Sequence, residues 1–170
     1  MEENNEKENI GITFINADYF HLIMAECRFC ILAKGNDFCY KVYEDKFTFA
    51  FMDKVPVNTG HILVIPKQHV PNFEDLNEKS YLHLMMIVKK FSKVIKKITK
   101  CEKVGVLIAG FDVKHTHIHI IPMNNIKDVA TRRIWEKGWK PACPADLKTI
   151  SKIISKEINV PSSNVLQEIN

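Results

Sequence analysis

The sequence contains no apolar run that approaches the roughly 20 residues needed for a membrane-spanning helix. Its opening stretch, MEENNEKENIGITF, is polar and acidic, whereas a secretory signal has a basic end followed by an apolar run. Internal repeats and low-complexity tracts are also missing from the chain. We therefore expect no membrane partner and no secretory leader, and we predict a location in the cytoplasm, with the nucleus as the alternative.

The chain also lacks a large excess of charge of either sign. It carries 24 Lys and Arg against 20 Asp and Glu, a formal net charge of +4. This mild excess suits an anionic substrate but is too small to indicate nucleic-acid binding. The lysine-rich stretch near residues 89–100 is not interleaved with the aromatic residues that stack on bases. We predict no nucleic-acid partner.

A disulfide framework is not expected either, because thiols stay reduced in the predicted compartment. The five cysteines are better interpreted as metal ligands or buried core residues. Hydrophobic residues make up 46% of the 170 residues and charged residues 26%, which is enough apolar material for a core. Composition and length favour one domain with additional chain at both ends.

Alternating apolar and polar residues predict strands in the first half of the chain. The segment YKVYEDKFTFAFMDK is rich in β-formers and predicts two strands joined by a turn at Glu44–Lys46. A turn at Asn58–Gly60 then precedes an apolar strand from His61 to Ile65. Two further apolar runs are broken at Ala109–Asp112, which predicts a hairpin.

Helical periodicity appears in two segments. The clearer one is LNEKSYLHLMMIVKKFSKVIKKITK, whose apolar residues recur at helical spacing; they are Leu82, Met85, Val88, Phe91, Ile95 and Ile98. A second amphipathic helix is predicted near 145–158. The fold class is therefore α+β: an antiparallel sheet with one long amphipathic helix packed on it, plus a C-terminal helical extension. We divide the chain into a partly disordered extension at 1–20, a domain at 21–126 and the extension at 127–170.

The segment KHTHIHIIP places His115, His117 and His119 at alternate positions. In a strand, alternate residues share one face, so the three imidazoles form a row. The opposite face, with Ile118 and Ile120, is free to pack against the helix. Imidazole is both a metal ligand and a nucleophile or proton donor near neutral pH. From the spacing alone, a metal-binding strand and a catalytic strand both remain open, and a polar sheet face that happens to carry histidines is the third alternative.

At these residues the sequence resembles the histidine triad (HIT) family, whose signature is His-φ-His-φ-His-φ-φ with φ apolar. Thr116 is the one soft match to that signature. A second block, YEDKFTFAFMDKVPVNTGHILVIPKQHV, resembles the upstream half of the family in the same order. The resemblance covers roughly residues 26–124 and implies a HIT-like fold. It also implies a protein that binds a purine nucleotide such as an AMP conjugate.

The resemblance implies a role for each matched residue. His117 matches the nucleophile that forms a nucleotidyl-histidine, while His119 and His61 match residues that surround the phosphate and protonate the leaving group. Asp53 matches the carboxylate that holds the ribose hydroxyls. The residues Phe29, Leu32 and Phe51 match the apolar pocket for the base, and ordinary core packing is the alternative for these three.

Zinc-containing members of the family imply a metal site as well. Cys27 and Cys30 have the C-x-x-C spacing at which two thiolates share one tetrahedral ion. The resemblance supplies two further ligands, His69 and His115, and implies structural Zn²⁺. His115 is then assigned to the metal, and the other two triad histidines to chemistry. Two buried reduced thiols and an unrelated His69 are the alternative.

One departure from the family bears on the reaction. Phe111 stands where many members carry a phosphate-contacting Gln, and the loop before the triad is short. Asp112 is expected to point away from a phosphate or to sit in the turn. The leading hypothesis is a phosphoramidase-like nucleotide hydrolase acting on nucleoside phosphoramidates. Alternatives are a dinucleoside polyphosphate hydrolase and a zinc-stapled nucleotide-binding or partner-binding protein with little turnover. Related nucleotidyltransferases usually replace a triad histidine, so the intact His119 favours a hydrolase. The resemblance also implies a homodimer.

Overall fold

The structure is a computed structural model that describes residues 27–130 and 141–159. The predicted extension at 1–20 and the last part of the predicted C-terminal extension lie outside the described residues. The described part holds five strands, and these make one sheet with the order β1-β2-β3-β5-β4. They are β1 (Lys41–Glu44), β2 (Thr48–Met52), β3 (Ile62–Pro66), β4 (Lys103–Ile108) and β5 (Ile118–Met123).

Every pairing in this sheet is antiparallel, and helices pack against it, so the α+β class predicted from the sequence is confirmed. Alternation along β2 and β3 sends successive side chains to opposite faces. One face carries Ala50, Met52, Ile62 and Val64, which join the helix-side core. The other face carries Phe49, Phe51, Leu63 and Ile65, which form a second apolar cluster with Phe29 and Leu32.

The long helix α2 (Glu78–Thr99) covers the first of these faces. Its start is capped by the side chain of Asn77, which accepts a hydrogen bond from the backbone N–H of Ser80 at 2.9 Å. Its end is marked by Lys100 in the left-handed conformation, with φ of 57°. The buried residues of the helix are Leu84, Ile87, Val88, Phe91, Val94 and Ile95.

The predicted apolar stripe of α2 was wrong at one position. Leu82 is 60% exposed, and Met86, one turn further, is 58% exposed. The buried stripe instead begins at Leu84 and continues at intervals of three and four residues, as helical geometry requires. Leu82 and Met86 therefore lie on the solvent side of the helix.

The remaining helices are α1 (Arg28–Ala33), α3 (Lys127–Ala130) and α4 (Pro144–Ile158), with a 3₁₀ helix at Phe73–Asp75. Helix α4 buries Leu147, Ile154 and Ile158 in the helix-side core and packs on α2 and β1. Among the described residues, no helix has the length and apolar content to cross a membrane.

The turn before β3 depends on Gly60. Its φ is +96°, and a Cβ at this position would lie 2.8 Å from Cγ2 of Thr99. Any side chain would therefore meet both an unfavourable backbone conformation and the end of α2. The turn is closed by the N–H of His61, which donates to the carbonyl of Asn58 at 3.1 Å. Gly60 thus fixes where the chain enters β3 and the backbone position of His61.

Candidate active site and metal cluster

Part of the candidate site lies along one row of paired residues on neighbouring strands of the sheet. In the strand register, Phe51 on β2 lies opposite Leu63 on β3, and Leu63 lies opposite His119 on β5. Directly paired residues project to the same face. His119 therefore stands beside the apolar cluster on the face that α2 does not cover.

The triad is only partly in a strand. β5 begins at Ile118, so His119 belongs to it, whereas His115 and His117 lie in the segment that leads into it. The N–H of Thr116 bonds to the carbonyl of Val70 at 2.7 Å, which ties this segment to the chain after β3. The predicted burial of Ile118 and Ile120 against the helix is confirmed, since both are fully buried in the helix-side core.

His117 is held in one tautomer by its own neighbour in the triad. Its Nδ1 lies 2.6 Å from the backbone carbonyl oxygen of His115. A carbonyl only accepts, so Nδ1 carries the proton and Nε2 keeps its lone pair. The ring is 6% exposed, and it borders the cleft described below. An imidazole that directs a lone pair into a cleft can act as a nucleophile.

His61 and His119 form a second hydrogen-bonded unit. The backbone N–H of Val57 donates to Nδ1 of His61 at 3.2 Å, so the proton of the neutral His61 ring is on Nε2. That Nε2 lies 3.0 Å from Nδ1 of His119 and donates to it. The proton of neutral His119 is therefore on its own Nε2. A backbone amide four residues from His61 thus sets the tautomers of two histidines.

Asp53 supplies the negative charge beside this pair. Its Oδ1 accepts the backbone N–H of Val55 at 2.8 Å. Its Oδ2 lies 3.6 Å from Nδ1 of His61 and 4.0 Å from Nδ1 of His119. These separations are longer than a direct hydrogen bond, but the carboxylate stabilises any added proton on the pair.

Burial opposes protonation of both histidines. It lowers the pKa of His61 although the charge of Asp53 acts in the opposite direction. For His119, burial together with the charges of His61 and His117 lowers the pKa to about 3. Both rings are thus neutral in the folded protein near neutral pH without a bound anion.

These shifts predict that the folded state loses stability in mild acid. An unfolded histidine takes up a proton near pH 6.5, whereas folded His119 does not until about pH 3. The unfolded chain then binds more protons, so the free energy of unfolding falls as pH drops from about 6.5 toward 3. We expect urea unfolding of His119→Asn to show a shallower fall over this interval than the wild type. An equal slope in both proteins would contradict the assignment.

An apolar cleft of about 440 Å³ opens beside the histidines, within the size range of small-molecule sites. Phe29, Leu32, Phe51 and Leu63 line it together with Asp53, His117 and His119. Two cationic side chains, Arg28 and Lys54, also border it. The structure thus places the predicted base-pocket residues and two of the three predicted catalytic residues, His117 and His119, around one cavity. The third, His61, does not line the cleft and contacts His119.

The loop before the triad forms part of the rim of this cleft. Phe111, at the position where the family often has Gln, is 83% exposed and borders the cleft. Asp112 lies in the same loop and is exposed. The expectation that Asp112 lies in the turn agrees with the structure, and the residue borders the cleft. An anionic group here disfavours a polyanionic leaving group.

The four predicted metal ligands converge in a separate cluster. The Sγ atoms of Cys27 and Cys30 both lie 3.5 Å from Nδ1 of His115. Nδ1 of His69 lies 3.3 Å from Sγ of Cys30, and all four donor atoms lie within 4.8 Å of one another. Zinc bond lengths give S···N edges of roughly 3.6 Å in a tetrahedral site. The donor set therefore fits a tetrahedral ion.

The outer hydrogen bond of His115 also suits a ligand. Its Nε2 donates to the carbonyl of Pro66 at 2.9 Å, which leaves Nδ1 with the lone pair that faces the thiols. Burial lowers the pKa of His115 and outweighs the opposing hydrogen bond to Pro66. The ring is thus held neutral with the correct atom directed at the cluster.

Sequence reasoning missed two features of the site. Cys39 borders the cleft, and burial raises the pKa of its thiol. No spacing pattern indicates it, because it enters the cleft from the segment between α1 and β1. The second is the N–H of Val57, a backbone group whose side chain gives no signal. His83, which has no partner by spacing, pairs with Asp45 at 2.8 Å outside the site.

Fold and site together define an α+β protein with a histidine cluster beside an apolar cleft and a four-donor cluster. A family model of the HIT domain matches residues 35–126. Adenosine 5′-monophosphoramidase hnt1 of Schizosaccharomyces pombe is 34% identical over 78% of this chain and 98% of its own length. The chain therefore belongs to the HIT family.

Solved structures show the same fold. A hypothetical histidine triad nucleotide-binding protein, ST2152, from Sulfolobus tokodaii superposes with a TM-score of 0.66 at 33% identity. The match covers 78% of this chain and 91% of that one. A Zn-bound histidine triad family protein from Mycobacterium smegmatis gives a TM-score of 0.64 at 20% identity, covering 79% of this chain and 94% of that one. At that identity the second likeness concerns the fold alone.

Proposed function

We propose that this protein hydrolyses the α-phosphate bond of AMP-type conjugates, nucleoside phosphoramidates first, through a nucleotidyl intermediate on His117. The observation that carries the proposal is the tautomer of His117. Its Nδ1–H is committed to the carbonyl of His115 at 2.6 Å, so its Nε2 lone pair is available at the cleft. The likeness to the S. pombe phosphoramidase supports the choice of substrate.

In the first step, Nε2 of His117 forms a bond to phosphorus as the bond from phosphorus to the leaving nitrogen breaks. The His61–His119 pair supplies the proton that the nitrogen needs. The bound phosphate and Asp53 are both anionic, and they favour one added proton on the pair. The pair releases the Nε2 proton of His119 and becomes neutral. Its two remaining protons then lie toward His61, so this neutral state is the opposite tautomer of the resting pair.

In the second step, water attacks phosphorus and the bond from phosphorus to Nε2 of His117 breaks. The proton lost by the water returns to the His61–His119 pair, and AMP is released. The same pair thus acts as acid first and base second, as microscopic reversibility favours. For the nucleotide itself, we assign the base to Phe29, Leu32 and Phe51 and the ribose hydroxyls to Asp53.

The proposal is tested by mixing the full chain with adenosine 5′-phosphoramidate and following AMP release by chromatography. Rapid quench into alkaline denaturant, in which the P–N bond survives, followed by mass spectrometry should find one added AMP on the peptide that contains His117. Dinucleoside polyphosphates and inorganic-anion conjugates of AMP are compared in the same assay, and Asp112 at the cleft mouth favours the amine. AMP binding without any turnover would reject hydrolysis and leave a nucleotide-binding protein.

We assign structural Zn²⁺ to Cys27, Cys30, His69 and His115. The support is the chemistry of the donor set, two thiols and two imidazoles at tetrahedral spacing. With four protein ligands the ion has no open position, so it supplies a cross-link rather than a Lewis acid. It would connect α1, the segment after β3 and the segment before β5.

We also assign a homodimer that pairs along β4 and the adjacent helix. Among the described strands, β4 pairs with β5 alone and forms one edge of the sheet. An open edge strand is a template for pairing with a second chain. Val106 on β4 is 46% exposed, and Leu82 and Met86 add exposed apolar surface on α2.

This assignment predicts that Val106→Lys converts a dimer to a monomer. A lysine at the centre of a paired edge places a charge in a dry interface, which costs several kcal/mol. Light scattering after size exclusion should give about twice the 19.7 kDa chain mass for the wild type and one chain mass for the variant. Ile153→Lys is the control, because Ile153 is 45% exposed but lies on α4. A monomeric wild type would refute the prediction.

A further inference from the structure

Helix α1 belongs to the metal cluster and to the nucleotide cleft at the same time. Cys27 precedes its first residue and Cys30 lies in its first turn, while Phe29 between them borders the cleft. The helix has six residues and no side-chain cap at its start. A helix this short is not stable by itself, so contacts outside the helix hold Phe29 in place.

The ring of Phe29 contacts three groups of different function. Its centroid lies 5.9 Å from that of His115, a metal-cluster residue, and 5.1 Å from that of His117, the nucleophile. It also lies 5.6 Å from Phe51 in the wall of the cleft. All three contacts are edge-to-face, with interplanar angles between 62° and 77°, the arrangement that aromatic pairs favour.

A second link runs through the backbone of His115. The side chain of this residue contacts both thiols through Nδ1, and its carbonyl accepts the Nδ1–H of His117. Any force that holds the ring of His115 therefore also holds the carbonyl that selects the tautomer of the nucleophile. Phe29 packs on both rings, so it closes a loop of contacts between the cluster and His117.

We propose that Phe29 is a positioning residue that couples the metal cluster to the nucleotide site, so that zinc and AMP each strengthen the binding of the other. This inference rests on the proposed function. Bound zinc fixes Cys27 and Cys30 and therefore fixes the start of α1. This keeps the Phe29 ring packed against His117 at the cleft. Without the cross-link, AMP binding must itself order α1, and its affinity falls. Binding linkage is reciprocal, so AMP raises zinc affinity by the same factor.

The experiment measures AMP affinity by calorimetry for the full chain in its zinc-loaded and metal-free forms. We expect AMP to bind the loaded form at least about fivefold more tightly, the lower end of typical couplings. Competition with a chelator should show the same factor as a gain in zinc affinity when AMP is present. This second measurement starts from loaded protein, so it gives the answer even where the metal-free chain unfolds.

Two matched variants assign the coupling to Phe29. Phe29→Leu keeps an apolar side chain but removes the edge contacts to both histidines, so the coupling factor should fall toward one. Phe49→Leu is the control. Phe49 lies in the same apolar cluster, but its ring contact among the described residues is with Phe51. The coupling factor of Phe49→Leu should therefore match that of the wild type. A wild-type factor of one, or full coupling in Phe29→Leu, would overturn the proposal.

A separate measurement distinguishes failure of this proposal from failure of the proposed function. If loaded wild type does not bind AMP, the nucleotide assignment is wrong, and the coupling is then read from ¹⁵N NMR signals of the His117 ring without nucleotide. The proposal expects a pure Nδ1–H tautomer in loaded wild type and Phe49→Leu, and a tautomer mixture in Phe29→Leu and in metal-free wild type. Identical His117 signals in all four samples would overturn it.

Discussion

His117→Ala is expected to lower the rate of AMP release from adenosine 5′-phosphoramidate by about 10⁴-fold or more. Loss of a covalent nucleophile removes the intermediate itself, and such losses are among the largest that single substitutions cause. The fold should be retained, because the ring is not part of the helix-side core. Steady-state kinetics with the variant at high protein concentration measures the effect.

Chemical rescue separates loss of the nucleophile from loss of structure. His117→Gly leaves a cavity between Phe29 and His119, whose rings pack on that of His117. Free imidazole that enters this cavity should attack phosphorus and restore part of the rate in proportion to its concentration. His83→Gln is the control, since His83 pairs with Asp45 away from the cleft, and it should behave as wild type. A His117→Ala rate within tenfold of the wild type would refute the assignment.

Cys30→Ser is expected to release the metal and to destabilise the fold. The Sγ of Cys30 approaches both imidazoles of the cluster, at 3.3 Å from His69 and 3.5 Å from His115. Loss of an outer-shell partner alone costs 10–100-fold in metal affinity, so loss of a thiolate ligand should cost at least about 100-fold. Under conditions that saturate the wild type, a 100-fold loss corresponds to about 2.7 kcal/mol of folding free energy.

Metal content per chain by mass spectrometry and thermal unfolding with and without zinc measure these two effects. For a chain of this length, about 2.7 kcal/mol lowers the unfolding temperature by roughly 5–10 °C. Cys143→Ser is the control, because Cys143 is exposed and stands apart from the four donors. Equal zinc content in wild type and Cys30→Ser, or equal loss in Cys143→Ser, would contradict the metal assignment.

In the proposed assignment, metal binding and nucleotide chemistry meet in the short segment before β5. The ring of His115 contacts the cluster, and the backbone carbonyl of His115 accepts the Nδ1–H of His117. Period-two spacing indicates that these histidines act together, but it cannot divide their roles. The division arises because the segment before β5 is not yet paired in the sheet, which lets His115 turn toward the thiols while His119 stays in the strand.

The order of the elements could be predicted from the sequence because it depends on local patterns. Alternation predicted β1 and β2 close to their observed bounds, an apolar run after a turn predicted β3, and helical spacing predicted α2. The stripe of α2 was wrong at Leu82, since a single apolar residue fits more than one helical face and only packing on the sheet selects the face. The C-x-x-C pair and the triad are local as well, so their residues were recognisable as a candidate set.

Long-range hydrogen bonds decided how the histidines of the candidate site are arranged. The contact between His61 and His119 joins residues 58 positions apart, and it exists because β3 and β5 pair with Leu63 opposite His119. The tautomer of His61 is selected by a backbone amide of the preceding turn, which no side-chain pattern encodes. By itself the sequence determined which residue types are available for the chemistry. Only the tertiary structure decided which nitrogen carries each proton, because that depends on which donor and acceptor the fold brings within about 3 Å.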